Sequence, residues 1–164
     1  MKIVEEPEVK MIEERIVAYV SFVGNYLGNA KVFEGLFQTL CDFAAPLQLN
    51  GSDTLFLSAY YNDPDTTPPE ELRVDVCMTI TDDADLTTEG EVHKKKLPGG
   101  KYVVMYAKLS GAEEYGPAWR MIGEWMMHNN LEMDVSRPGY EIYRSNPEDN
   151  PGKQHCVEIC MAVK

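Results

Sequence analysis

The chain has 164 residues, 44% of them hydrophobic and 26% charged, enough for one domain of ordinary globular composition. A formal net charge of -12, from 27 acidic against 15 basic residues, argues against direct binding of nucleic acid or of an anionic membrane. No stretch approaches the ~18 continuous apolar residues of a membrane span, and the N-terminal MKIVEEPEVK has no apolar signal core, so a soluble, non-secreted, cytoplasmic protein is expected.

Glu14 to Val23, ERIVAYVSFV, alternates as a strand does, with Ile16, Ala18, Val20 and Phe22 on one side and Val17, Tyr19 and Ser21 on the other. Gly24-Asn25 ends it. Phe33, Leu36, Phe37 and Leu40 fall at helical spacing and predict a helix from about Ala30 to Ala45, closed by Pro46 and Asn50-Gly51. A strand over about Thr54 to Tyr61, a turn at Asn62–Asp65 and a strand over Leu72–Thr81 follow. An acidic connector, 82–91, separates this half from the next. The second half opens with a short strand at Val92–Lys96 and a turn at Leu97-Pro98-Gly99-Gly100. Lys101–Leu109 alternates again. A helix over about Tyr115 to Asn129 carries Trp119, Ile122, Trp125 and Met126 on one face, with Pro117 in its first turn. Strands at Tyr140–Arg144 and Cys156–Val163 complete the chain.

The two halves resemble each other. YYNDPDTTPPEELRVDVCMTI (Tyr60–Ile80) has an echo in YRSNPEDNPGKQHCVEICMAV (Tyr143–Val163), which lays Tyr60 on Tyr143, Asp63 on Asn146, Pro64 on Pro147 and Val74–Ile80 on Val157–Val163. A repeat of this kind marks a duplicated unit. The fold expected is α+β: a single domain over 1–164, a tandem duplication of a strand–helix–strand–strand module with halves of about 1–82 and 92–164. Antiparallel sheet, helices on one face and a central cleft complete the expectation.

Alternation then assigns faces. Val103, Met105, Ala107 and Leu109 form the greasier face of their strand, expected under the helix; Tyr102, Val104 and Tyr106 form the other. Aligning Gly24 with Gly111 lays Tyr19 on Tyr106. Phe56, Ser58 and Tyr60 share a face, with Glu141 opposite Ser58 and Tyr143 opposite Tyr60 in the second copy. One face is therefore expected to carry Tyr19, Tyr106, Tyr60 and Tyr143 around Glu141, which occurs in one copy only. Aromatic walls and one carboxylate suit a flat, apolar, cationic ligand. Trp119, in the first turn of its helix, is the tryptophan expected to reach this groove. Asp75 and Glu158 are equivalent in the two copies, which favours a structural role such as pairing with Arg73.

Cys77 and Cys160 are likewise equivalent, which favours packing. Cys156 and Cys160, beside His155, lie about 13 Å apart on an extended strand and cannot share one metal ion without a bend. There is no phosphate loop and no Ser-His-Asp pattern, and neither cofactor nor metal is expected.

YYNDPDTTPPEELRVDVCMTI closely resembles a hallmark of the GyrI-like family, the DNA gyrase inhibitors and the effector-binding domains of some AraC- and MerR-type regulators. The resemblance continues through LPGGKYVVMYAKLSGAEEYGPAW (Leu97–Trp119) and RPGYEIYRSNPED (Arg137–Asp149) and covers nearly the whole chain. It implies two strand–helix–strand–strand modules around a central cleft that binds hydrophobic, often cationic, molecules. The family's cleft glutamate matches Glu141; its aromatic walls match Tyr19, Tyr106, Trp119 and Tyr143. With no helix-turn-helix segment in view, the chain resembles the stand-alone form. Three functions are open: small-molecule binding; inhibition of DNA gyrase by protein contact; and hydrolysis of cyclopropane-containing genotoxins, with Glu141 as general base or water-positioning group and a tyrosine as proton donor.

Overall fold

In the computed structural model, which describes residues 1–86, 90–145 and 152–164, the chain divides into two units. The strands and helices are β1 (Lys2–Ile12), β2 (Arg15–Val23), α1 (Ala30–Leu47), β3 (Phe56–Tyr60), β4 (Arg73–Thr79), β5 (His93–Leu97), β6 (Gly100–Leu109), α2 (Tyr115–His128), β7 (Gly139–Tyr143) and β8 (His155–Ala162). One unit is Glu14–Pro98; the other is Met1–Glu13 with Gly99–Lys164. They are called here the N-terminal and C-terminal units.

In the N-terminal unit β4 pairs with β3 and β2, and β2 pairs with β5, all antiparallel. In the C-terminal unit β8 pairs with β7 and β6, and β6 pairs with β1, again antiparallel. Each unit thus repeats the expected strand–helix–strand–strand order and adds one edge strand. The edge strand of each unit is the segment just upstream of the other unit's first strand: β1 precedes β2 in the chain but pairs with β6, and β5 precedes β6 but pairs with β2. The units are therefore bounded at Glu13–Glu14 and Pro98–Gly99, whereas the halves expected from the repeat are about 1–82 and 92–164.

β1 has no counterpart among the expected elements. Its sequence, KIVEEPEVKMI, carries Pro7 and register shifts on both sides of Glu5. Proline and charge are tolerated on an edge strand, where one row of backbone groups has no partner to satisfy. α1 also runs past the expected end: Pro46 lies within its last turn, and Gln48 closes it in the left-handed conformation with φ 52°.

One helix covers one face of each sheet. In the N-terminal unit Leu40 and Ala44 of α1, with Phe33, Leu36 and Phe37, pack on Ala18, Val20, Val76 and Met78. In the C-terminal unit Ala118, Ile122 and Met126 of α2, with Trp119 and Trp125, pack on Val103, Met105, Ala107, Leu109, Val157 and Ile159. The helix-facing set read from the alternation of β6 is the set found there. Each fully buried Val, Leu, Ile or Met among them stabilises the fold by about 1.5–3 kcal/mol. Cys77 and Cys160 are buried, and all four cysteines are free thiols. The connector 82–91 includes residues 87–89, and the turn matched at Asn146-Pro147 lies in 146–151; both segments fall outside the described residues. No helix among the described residues is long and apolar enough to cross a membrane.

Candidate functional site

Directly opposed residues of an antiparallel pair point to the same face. This fixes the faces of β3 and β7. Phe56, Ser58 and Tyr60 oppose Met78, Val76 and Val74, which are helix-facing. Glu141 and Tyr143 oppose Ile159 and Val157, also helix-facing. The two registers make Ser58 equivalent to Glu141 and Tyr60 equivalent to Tyr143, given the equivalence of β4 and β8.

The same registers correct two expectations. Tyr19 opposes Cys77, on the face away from α1. Tyr106 opposes Glu158, on the face away from α2. Within the N-terminal unit Tyr19 and Tyr60 therefore lie on opposite faces of the strands, and within the C-terminal unit so do Tyr106 and Tyr143, so the tyrosines of each pair do not share a face. Nor are Tyr19 and Tyr106 equivalent. Ser21 opposes Asp75 as Tyr106 opposes Glu158, so Tyr106 corresponds to Ser21, two residues on. The offset arises because the segments after β2 and β6 differ: Gly111 leads directly into a short helical turn at Ala112–Glu114, while Gly24 leads into an irregular segment before α1.

The C-terminal unit brings Glu141, Trp119 and Tyr143 together. Glu141 on β7 is 5% exposed. The indole Nε1–H of Trp119 donates to Glu141 Oε2 at 2.7 Å, and the hydroxyl of Tyr143 donates to Oε1 at 2.8 Å. Each carboxylate oxygen thus holds one aromatic donor. The Trp119 ring lies against Gly139: a Cβ there would stand 2.9 Å from Trp119 Cη2 and 3.3 Å from the carbonyl oxygen of Cys160. The glycine two residues before Glu141 is what gives the indole room to reach the carboxylate.

Tyr115, one helical turn before Trp119, makes a second tie between α2 and the sheet. Its hydroxyl lies 2.8 Å from Nδ1 of His155, the rings edge to face at 85°. Burial lowers the His155 pKa, so the ring is neutral at neutral pH and can accept the Tyr115 O–H. Burial, then the charge of Glu141, pushes the Tyr115 pKa up, so its proton is held. Sequence reasoning passed over Tyr115, His155 and Gly139. The first had a readable signal: it stands four residues before Trp119, hence on the same helix face.

In the N-terminal unit Ser58 and Tyr60 stand at the positions of Glu141 and Tyr143, so no carboxylate stands there. Tyr60 packs at 5.5 Å between ring centroids against Tyr26, which packs at 5.9 Å against Phe33. Ser58 is buried. Phe56 stands edge-on to Phe37 at 6.3 Å. Tyr19 belongs to a different cluster, its ring under the Lys95 ammonium at 4.0 Å. Asp75 pairs with Arg73, and Glu158 with Arg144, which gives both acidic residues the structural partners expected from their symmetry. Among the described residues no group of three or more His, Cys, Asp or Glu side chains is placed to hold a metal ion.

Relatives and solved structures agree with this architecture. A DNA gyrase inhibitor of Yersinia enterocolitica is 31% identical over 148 residues, covering 87% of this chain and 84% of the relative. The C-terminal domain of EcmrR superposes with a TM-score of 0.74 at 16% identity, covering 98% of each chain. SAV2435, solved bound to tetraphenylphosphonium, superposes with a TM-score of 0.65 at 16% identity, covering 97% of this chain and 94% of its own. The GyrI-like small molecule binding domain matches residues 5–164, and the chain belongs to that family.

Proposed function

We propose that this chain binds hydrophobic, aromatic, cationic small molecules at the Trp119–Glu141–Tyr143 cluster. The observation that carries the reading is a carboxylate 5% exposed to solvent and held by two aromatic side chains. Both of those bonds to the negatively charged carboxylate come from neutral donors. A cation with an apolar body meets that charge at its centre and the Trp119 and Tyr143 rings along its flanks, each good cation–π contact adding about 0.5–2 kcal/mol. A ligand cation that approaches Glu141 Oε2 competes with the indole N–H. Binding is therefore expected to change the environment of Trp119.

Tryptophan fluorescence tests this with a pair of probes of matched shape and opposite charge. Tetraphenylphosphonium is expected to give saturable quenching that is lost in Trp119→Phe; tetraphenylborate is expected to give none. Equal quenching by both ions would remove the role given to Glu141.

A second reading is inhibition of DNA gyrase by protein contact. It is supported by the name of the Yersinia enterocolitica relative and by its coverage of most of both chains. A supercoiling assay with purified gyrase decides it: slower supercoiling as this protein is added supports the reading, and unchanged supercoiling at large excess excludes it.

A further inference from the structure

The face of the N-terminal sheet away from α1 carries a cluster that the Glu141 site does not use. Asp75 on β4 has a side chain with no exposure. Its Oδ1 accepts from Ser21 Oγ at 2.5 Å and from Arg73 Nε at 3.2 Å. Its Oδ2 accepts from Arg73 Nη2 at 2.9 Å and from the Lys95 ammonium. Lys95 also donates to the Tyr61 hydroxyl at 2.7 Å and sits over the Tyr19 ring. The Arg73 guanidinium lies over the Tyr61 ring, 4.5 Å from its centroid.

A lone buried carboxylate is balanced by one cation. This one has two, so the cluster bears a surplus positive charge in a chain whose net charge is -12. The surplus is also presented in a usable way. Arg73 directs Nε and Nη2 to Asp75 and Ser21, and among the described residues its Nη1 has no acceptor. Its side chain is 41% exposed. Held by Asp75 and by the Tyr61 ring, the guanidinium is already oriented, so an incoming anion meets a fixed Nη1 donor and orders little on binding. A single surplus charge matches a monoanion, and the N–H groups of Nη1 suit an oxygen of a carboxylate. The half-buried Tyr61 and Tyr19 rings beside the two cations favour an acid that carries a ring.

We propose that Arg73 and Lys95, set on Asp75 between Tyr61 and Tyr19, form a second ligand site that takes a small monoanionic carboxylate, best an aromatic one. It differs from the Glu141 site in the sign of its charge and in the unit that carries it.

Sodium benzoate is the probe. The full chain, labelled with nitrogen-15, is titrated at constant ionic strength made up with sodium chloride, following the Arg73 Nε–H signal. A saturable shift is expected, with a dissociation constant on the order of millimolar for one charge-assisted contact at Nη1. Arg73→Gln is expected to abolish the saturable response in the Tyr61 neighbourhood, read on backbone amides. Arg73→Lys, which keeps the charge and loses the Nη1 donor, is expected to weaken it severalfold. Glu141→Gln is expected to leave it unchanged, so loss of one site is distinguishable from loss of the other. No saturation in the wild-type protein, the same shifts with chloride alone, or a response that survives Arg73→Gln would each overturn the proposal.

Discussion

Replacing Trp119 by Phe removes one hydrogen bond and keeps most of the ring. The bond removed is short, 2.7 Å, and its acceptor is a carboxylate 5% exposed. A hydrogen bond to a charged group contributes about 1.5–3 kcal/mol, a neutral one about 0.5–1.5 kcal/mol. Trp119→Phe should therefore cost ~2 kcal/mol in the wild-type background. For a chain of this size that lowers the melting temperature by roughly 4–8 °C. In a Glu141→Gln background the acceptor is neutral, and the same substitution should cost about 1 kcal/mol less. Urea unfolding of the four proteins of this double-mutant cycle, at one pH, measures the difference. Equal costs in the two backgrounds would show that the indole N–H does not meet the Glu141 charge, and the geometry of the site would need to be redrawn.

Gly139→Ala should drive a methyl group into Trp119 and the Cys160 carbonyl, costing about 1–3 kcal/mol and weakening tetraphenylphosphonium binding, as thermal melts and fluorescence titration read. His155 has a folded-state pKa below its ordinary 6.5, so the unfolded chain takes up its proton first and stability falls as pH drops below about 6.5; in His155→Gln the loss of stability between pH 7.5 and 5.5 should be smaller than in the wild type. Asp75 behaves in the same direction at lower pH. Burial alone would raise its pKa, but hydrogen bonds from Lys95, Ser21 and Arg73 outweigh it, so its contribution is present above the ordinary 3.8 and is lost as pH falls through the lower folded value. At neutral pH, Asp75→Ala leaves two cations without their carboxylate and should cost about 3–5 kcal/mol, measured by denaturant unfolding. The gap between Asp75→Ala and wild type should narrow as the pH falls below the Asp75 folded value.

Much of the fold was legible because the strands of the core alternate cleanly. Val103, Met105, Ala107 and Leu109 could be assigned to the helix side from spacing alone. The equivalence of Ser58 and Glu141 followed from the repeat and is the one the two registers give. Alternation does not say which face of one strand joins which face of the next; pairing register does. That is why Tyr19 and Tyr106 were grouped with Tyr60 and Tyr143. β3, FLSAY, is buried at its three central positions and offered no polar contrast to orient it. β1 was hidden because its charges and Pro7 look like a loop, yet these are what an edge strand tolerates. Lys95 and Asp75 meet through β2, with β5 on one side and β4 on the other, a pairing no local pattern announces.

The central claim is that Glu141 supplies the charge that holds a cationic ligand. Isothermal titration of tetraphenylphosphonium into the wild-type protein and into Glu141→Gln at neutral pH tests it most directly. Saturable binding to the wild type and at least a tenfold weaker affinity in the variant, about 1.4 kcal/mol, are expected. Equal affinity in the two proteins, or no binding to the wild type, would contradict it.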